Sequence, residues 1–219
     1  DTRFDIFLQD IKSITDQSEF NAFKSVEIVK AIVVPNGASF SRKMIDEYTE
    51  FVKKYNAKGL AWMKAKEGKL DGGISKFLSD GLQKELILST KINDDDIIFI
   101  IGDKESIVLN ALGALRVEVA KNMELIDSNK YNPIWITDFP MFEFDDNSKR
   151  YLARHHPFTA PAVDNIDELN LDPASIKSRG YDLTINGYEV AGGSIRNHQS
   201  EFQAKIFQIL GMDENEITN

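Results

Sequence analysis

A chain of 219 residues, 42% of them apolar, has ample material for one buried core or for two small ones. Its formal net charge of −9 excludes a protein that grips nucleic acid mainly by bulk positive charge, although a local basic patch stays open. The absence of cysteine excludes disulfides and thiolate metal sites, and no apolar run reaches membrane-spanning length. A cytoplasmic protein without a membrane partner is the expectation. The N-terminus shows no signal-peptide pattern. It starts Asp1-Thr-Arg-Phe without an initiator methionine, and Glu216-Ile-Thr-Asn219 brings no closing element, so the sequence reads as an excised piece of a longer chain.

In chain order, residues 28–34 form a β-rich run that stops at the turn signal Pro35-Asn-Gly. Ser41 is placed to cap a helix carrying Met44, Ile45, Tyr48, Phe51, Val52 and Tyr55 at helical spacing. Residues 59–65 read as a strand, 74–88 as a broken helix, and 96–102 as a buried strand. A long amphipathic helix is expected from about Glu105 to Leu125, with Ile107, Val108, Leu112, Leu115, Val119 and Met123 on its apolar face. Strands and helices alternate here, so residues 19–127 are expected to close a small α/β domain.

The turn cluster Asn129-Lys-Tyr-Asn-Pro133 marks a boundary. Beyond it, 134–144 and 150–155 read as strands, 162–180 as loop, 181–191 as a hairpin, and 198–211 as a closing helix. This part, 128–219, is expected to be mainly antiparallel β with a helix, and residues 1–18 to belong with it, making the middle domain an insertion.

The hairpin is the most informative stretch. Asn186-Gly187 is a strong signal for a two-residue type I′ turn, which needs φ > 0 at both central positions. That turn pairs Ile185 with Tyr188, Thr184 with Glu189, Leu183 with Val190 and Asp182 with Ala191. Alternation then sends Leu183, Ile185, Tyr188 and Val190 to one face and Asp182, Thr184 and Glu189 to the other. Asp182 and Glu189 could form a general acid/base pair, a divalent-metal site or a solvated hairpin face. Gly192-Gly193-Ser194 lets backbone approach a ligand closely, and Arg196 beyond it can grip carboxylate or phosphate in a fork. The combination points to an anionic substrate and a metal-bound nucleotide. With neither a Walker loop nor Gly-x-Gly-x-x-Gly present, a P-loop or Rossmann site is excluded.

Three further positions carry polar groups. Asp138 lies in the aromatic run Asp138-Phe-Pro-Met-Phe-Glu143, where a strand-end carboxylate bonding local backbone is the simpler reading. His155 and His156 are adjacent, so at most one is expected to face a site if the segment is extended, and zinc binding lacks partner ligands. His198 is expected to open the last helix in a structural role.

Taken together, Trp135-Ile-Thr-Asp-Phe-Pro-Met-Phe-Glu143, His155-His-Pro-Phe-Thr159 and Asn186-Gly-Tyr-Glu-Val-Ala-Gly-Gly-Ser-Ile-Arg196 closely resemble the catalytic domain of bacterial-type aspartyl-tRNA synthetases. Val34-Pro-Asn-Gly-Ala-Ser-Phe-Ser-Arg42, Ala57-Lys-Gly-Leu-Ala-Trp-Met63 and Ala111-Leu-Gly-Ala-Leu-Arg116 resemble the GAD-type insertion of the same enzymes. The resemblance covers essentially the whole chain. It implies an α+β fold: part of a class II synthetase antiparallel sheet with helices, interrupted by a small α/β insertion.

What the resemblance implies for the site is specific. His155, His156 and Arg196 would bind L-aspartate, Arg196 on its side-chain carboxylate. Asp182 and Glu189 would ligate Mg²⁺ carried by ATP, with Glu189, Gly192, Gly193 and Ser194 in the ATP site. Ala191 departs from the glycine of many relatives, a small change. The implied reaction is activation of aspartate to aspartyl-adenylate and transfer to tRNA, in a homodimeric parent enzyme. No covalent or acid/base catalyst is implied. The arginine-rich motif upstream and the Gly-Leu-Asp-Arg motif downstream are not in this sequence, so the 219-residue chain alone is expected to be inactive. Two other readings are a GAD-type module that binds tRNA or protein without catalysis, and a structural piece whose hairpin face is merely solvated.

Overall fold

The computed structural model describes residues 1–145, 147–170 and 172–212; the terminal stretch Glu216–Asn219 lies outside the described residues. The chain forms two compact units, one of Arg3–Ser128, the other of Asp1–Thr2 with the residues from Asn129 onward.

The first unit is built on β1 (Gln9–Asp10), α1 (Lys12–Thr15), β2 (Ile28–Val34), α2 (Arg42–Lys53), β3 (Ala61–Lys66), β4 (Lys69–Asp71), α3 (Asp80–Thr90), β5 (Ile97–Asp103) and α4 (Glu105–Asn122). The sheet order is β1-β2-β5-β3-β4, antiparallel throughout, so the chain-order alternation of strands and helices yields α+β rather than a parallel α/β sheet. Its central strand, Ile97-Ile-Phe-Ile-Ile101, is buried on both faces because both are covered. Ile97, Phe99 and Ile101 join Ile32 and Val34 against α2 and α4. Ile98 and Ile100 join Val29, Ala31 and Met63 against the side of α1 and α3. Period-2 alternation thus feeds two cores from one strand.

The capping expectation holds: the Ser41 hydroxyl accepts from Met44 N at 3.2 Å, and α2 buries Ile45, Tyr48 and Val52 one turn apart. The broken helix resolves into a short 3₁₀ turn at Ser75–Phe77 and then α3. Helix α4 ends at Asn122, three residues before the expected Leu125, whose N–H instead bonds Ala120 O at 2.9 Å.

The expected grouping of residues 1–18 with the second part holds for Asp1–Thr2 alone; residues 3–18 lie in the first unit. Gln9 pairs with Ala31 in the first unit's sheet, Phe4 and Ile6 enter one of its cores, and Ile11 and Ile14 the other. Arg116 on α4 fastens this segment, its Nε donating to Ile6 O at 2.7 Å and its guanidinium lying 4.4 Å over the Phe4 ring. Burial pushes the pKa of that guanidinium below its usual value.

The second unit contains β6 (Pro133–Ile136), β7 (Phe142–Asp145), β8 (Arg150–Ala153), β9 (Gly180–Ile185), β10 (Tyr188–Ser194) and α5 (Ser200–Leu210). β10, β9 and β6 make a three-stranded antiparallel sheet, and β7 and β8 a separate two-stranded ribbon. The strand expected over 134–144 is broken: Asp138 takes φ +59°, and Pro140 makes only an isolated bridge to Lys177. Among the described residues of 162–180 no strand precedes Gly180, yet the stretch is not peripheral. It carries Leu169 and Ile176 into a core with Met141, Phe142, Ile206 and Leu210.

A candidate active-site cleft

The hairpin turns at Asn186 and Gly187, both with positive φ (55° and 87°), as the type I′ signal requires. Asn186 does more than turn: its side chain accepts from Asn132 N at 3.0 Å and donates to Lys130 O at 2.9 Å, which ties the hairpin tip to the start of β6. From the turn, Ile185 pairs with Tyr188 and Thr184 with Glu189, as the sequence predicts. The register then slips. Val190 is an extra residue in a β-bulge, so Leu183 pairs with Ala191 and Asp182 with Gly192, one position later than expected.

That slip decides the chemistry of the face. Asp182, Thr184 and Glu189 still share one side, but the residue opposite Asp182 is Gly192 rather than Ala191. A Cβ on Gly192 would lie 2.5 Å from Asp182 Oδ1 and 3.3 Å from Glu189 Oε1. The two carboxylates therefore overhang the same backbone atom. Gly192 does not have the positive φ that would demand glycine, so the requirement is one of space. Gly193 serves the opposite face, where a Cβ would meet the Tyr181 ring at 3.0–3.1 Å, and Trp135 packs edge-on to that ring at 5.9 Å.

The histidine pair departs from expectation. Both His155 and His156 line the cleft, because the chain after β8 bends and turns instead of continuing extended. Thr159 N bonds His156 O at 2.9 Å, closing a turn, and His156 Nδ1 accepts from Phe158 N at 3.2 Å. With the backbone turned, strand alternation no longer separates neighbours. His155 packs edge-on against Phe139 at 4.4 Å and overhangs Gly180, the first residue of β9.

Arg196 follows β10 and is held by an antiparallel bridge to Thr159, with Ala160 N bonding Ile195 O and Asn197 N bonding Phe158 O, both at 2.8 Å. The result is one open cleft of about 310 Å³ lined by His155, His156, Thr159, Asp182, Glu189, Gly192, Gly193, Ser194 and Arg196. All eight site residues expected from the sequence are brought together there. Thr159, which the sequence does not single out, also borders the cleft and is almost wholly buried. Among the described residues, Asp182, Glu189 and Arg196 take part in no salt bridge. Charges of both signs thus face one cleft without neutralising each other.

Two other positions do not join it. Asp138 is exposed beside a different hollow with Glu168 and Lys177, and accepts from the neighbouring Thr137 hydroxyl at 3.1 Å. The expected bond to backbone N–H is replaced by this hydroxyl contact. His198 lies before α5, not in it; the helix begins at Ser200, and Asn197 Oδ1 accepts from Gln199 N at 3.2 Å.

For a hard cation, the donor set is two carboxylates that converge on Gly192. Among the described residues no group of three or more His, Cys, Asp or Glu side chains is placed to hold a metal ion. Two carboxylates with remaining ligands from water and phosphate is a donor set that suits Mg²⁺ and does not suit a closed structural site. None of the described helices is long and apolar enough to cross a membrane.

The GAD domain family matches residues 20–112, inside the first compact unit. Over 99% of its length the chain is 45% identical to an aspartate–tRNA(Asp/Asn) ligase of Nitratidesulfovibrio vulgaris, of which it covers 35%. It is 48% identical over 99% of its length to one of Oleidesulfovibrio alaskensis, covering 36%. To an aspartate–tRNA ligase of Halalkalibacterium halodurans it is 45% identical over 98% of its length, covering 37%. The chain spans little more than a third of the length of these relatives. With a GAD domain at residues 20–112 and this likeness across nearly every residue, the chain is similar throughout to one stretch, about a third, of bacterial aspartate–tRNA ligases.

Proposed function

We propose that the cleft is part of the site at which a ligase containing this sequence activates L-aspartate with ATP before transferring it to tRNA. The observation that carries the reading is the convergence of Asp182 and Glu189 over Gly192 in the same cleft as Arg196. In the proposed reaction, an oxygen of the aspartate α-carboxylate attacks the α-phosphorus of ATP and the bond to pyrophosphate breaks. A ribose hydroxyl at the tRNA end then attacks the activated carbonyl, and AMP leaves.

No protein nucleophile is required, so the contribution of these residues is alignment and charge neutralisation. Arg196 would pair with the side-chain carboxylate of aspartate, with His155 and His156 against the same substrate. Asn would leave the guanidinium unpaired, and sites built on polar contacts reject such analogues far better than apolar pockets do. Asp182 and Glu189 would hold Mg²⁺, which when bound neutralises phosphate charge. Gly192, Gly193 and Ser194 would form the wall along which the nucleotide lies.

On this reading the parent enzyme works in the cytoplasm as a homodimer. Residues 1–219 alone would give no aspartate-dependent ATP–pyrophosphate exchange at the rate of an intact ligase, since they lack the arginine motifs that the family brings to the phosphates. The reading is tested by NMR titration of the 219-residue chain with Mg²⁺-ATP and with a non-hydrolysable aspartyl-adenylate analogue. Shifts at Glu189 with both ligands, and at Arg196 with the analogue, are expected. Unmoved resonances at both residues at millimolar ligand would reduce the hairpin to a solvated face.

A further inference from the structure

Two half-buried side-chain amides, Asn197 and Gln203, connect the segments that line the cleft. Asn197 Oδ1 accepts from Gln199 N at 3.2 Å, Asn197 Nδ2 donates to Gln203 Oε1 at 3.2 Å, and Gln203 Nε2 donates to Pro157 O at 2.9 Å. Both ends of this relay are backbone groups of fixed polarity, an N–H that can only donate and a carbonyl that can only accept. One orientation of the two amides therefore satisfies all three bonds, and flipping either sets like groups against each other. The relay starts one residue after Arg196 and ends one residue after His156, so it ties together the two segments that carry those side chains. Its base is firm. Gln203 sits on α5, whose Ile206 and Leu210 lie in a core with Met141 and Phe142, and one turn along from Gln203 the Phe207 ring packs edge-on to Phe158 at 5.8 Å.

We propose that Gln203 and Asn197 are positioning residues of this cleft, their relay fixing the spacing between Arg196 and the His155–His156 turn. The proposal rests on the aspartate reading above and deepens it. On that reading one small ligand is met from two sides, by Arg196 on one segment and by the histidines on the other, so the gap between the segments sets the fit. Backbone bonds fix only part of that gap. Ala160 N bonds Ile195 O and Asn197 N bonds Phe158 O, both at 2.8 Å, and with Phe158 this ladder stops short of the histidines. Pro157 has no N–H with which to continue it. The Gln203 bond to Pro157 O carries the hold one residue further, to the neighbour of His156. Neither amide has to touch the ligand; the relay acts by having the two sides in register before binding.

The test is ATP–pyrophosphate exchange by a full-length ligase containing this sequence, with aspartate and ATP varied independently. Gln203→Leu keeps the bulk and removes both of its bonds. It should raise the KM for aspartate about tenfold, with the KM for ATP unchanged and kcat within about threefold of wild type, as a sub-ångström misplacement that excess aspartate overcomes predicts. Asn197→Ala should act in the same direction, and the double variant should be no worse than Gln203→Leu alone, because members of one network do not add. Ile206→Val is the control: it thins the core under α5 without touching the relay, so it should lower the melting temperature and leave the aspartate KM at wild type. An unchanged aspartate KM in Gln203→Leu would overturn the proposal, as would equal rises in both KM values or single effects that multiply in the double variant. So would an aspartate KM raised as much by Ile206→Val, which would reduce the relay to a share in stability. If Gln203→Leu does not fold, Asn197→Ala decides by the same measures. Arg196→Ala measured alongside separates the two levels: a normal aspartate KM there overturns the site reading and the relay with it, whereas a raised one beside a normal Gln203→Leu overturns the relay alone.

Discussion

Gly192→Ala isolates the cleft's electrostatics from the fold. The added Cβ would sit 2.5 Å from Asp182 Oδ1, whereas ordinary contact begins at 3.4 Å, so the carboxylate must retreat by almost an ångström. Glu189 Oε1, at 3.3 Å, must yield only slightly. The clash is with the mobile end of a side chain and the backbone angle suits any residue, so the hairpin survives. Pushing a side chain about 30° from its rotamer costs roughly 0.5–1.5 kcal/mol. Alanine's smaller chain entropy in the unfolded state returns about 0.4–1 kcal/mol. Net stability should therefore change by less than about 1 kcal/mol. Catalysis should suffer more, because a misplacement near 1 Å can lower the rate about 100-fold. The assay is urea unfolding of the 219-residue chain beside ATP–pyrophosphate exchange, at varied Mg²⁺, by a full-length ligase carrying the substitution. A rate loss that added Mg²⁺ partly restores is expected. Gly193→Ala also alters the nucleotide wall, but its Cβ would meet Tyr181 rather than the two carboxylates, so added Mg²⁺ should not restore any rate it loses. Wild-type exchange by Gly192→Ala at every Mg²⁺ concentration would refute the assignment of the two carboxylates to a shared cation.

Asn186→Ala removes two side-chain bonds at the hairpin tip and puts alanine at φ 55°, so it should lower stability by about 1–3 kcal/mol, read as a smaller urea midpoint. Arg116→Leu should loosen the segment around Phe4 and Ile6, read as faster amide exchange there with α2 protection unchanged. Asp10 has its pKa held below the usual carboxylate value, first by the Lys12 backbone N–H and then by the Lys30 ammonium. A depressed folded pKa gives stability that is present above the unfolded value of about 3.9 and is lost as pH falls through the lower folded value. Asp10→Asn should accordingly flatten the acid limb of the stability curve below about pH 4 and change little at pH 7; an unaltered acid limb would contradict that coupling.

Much of the fold is local in origin and was legible on that account. Ser41, the Asn186-Gly187 turn and the buried run 97–101 each state their structure within a few residues. What escaped depends on contacts distant in sequence. Residues 3–18 look neutral until Phe4 and Ile6 meet α4 and Gln9 finds Ala31. The bulge at Val190 could not be read from alternation, which counts every residue once; its outward sign is the small Gly192-Gly193 pair beneath Asp182 and Tyr181. The site residues were legible as residue types, but their meeting was not: it needs the turn after β8 that aims both histidines one way.

In the proposed function Arg196 reads the carboxylate of aspartate while Asp182 and Glu189 serve the nucleotide. The most direct test is exchange kinetics of Arg196→Ala and Glu189→Gln in the full-length ligase, with aspartate and ATP varied independently. Arg196→Ala should raise the aspartate KM by about two orders of magnitude or more with ATP binding nearly normal, and Glu189→Gln should impair ATP use and its Mg²⁺ dependence. Normal aspartate affinity with collapsed ATP binding in Arg196→Ala would contradict it.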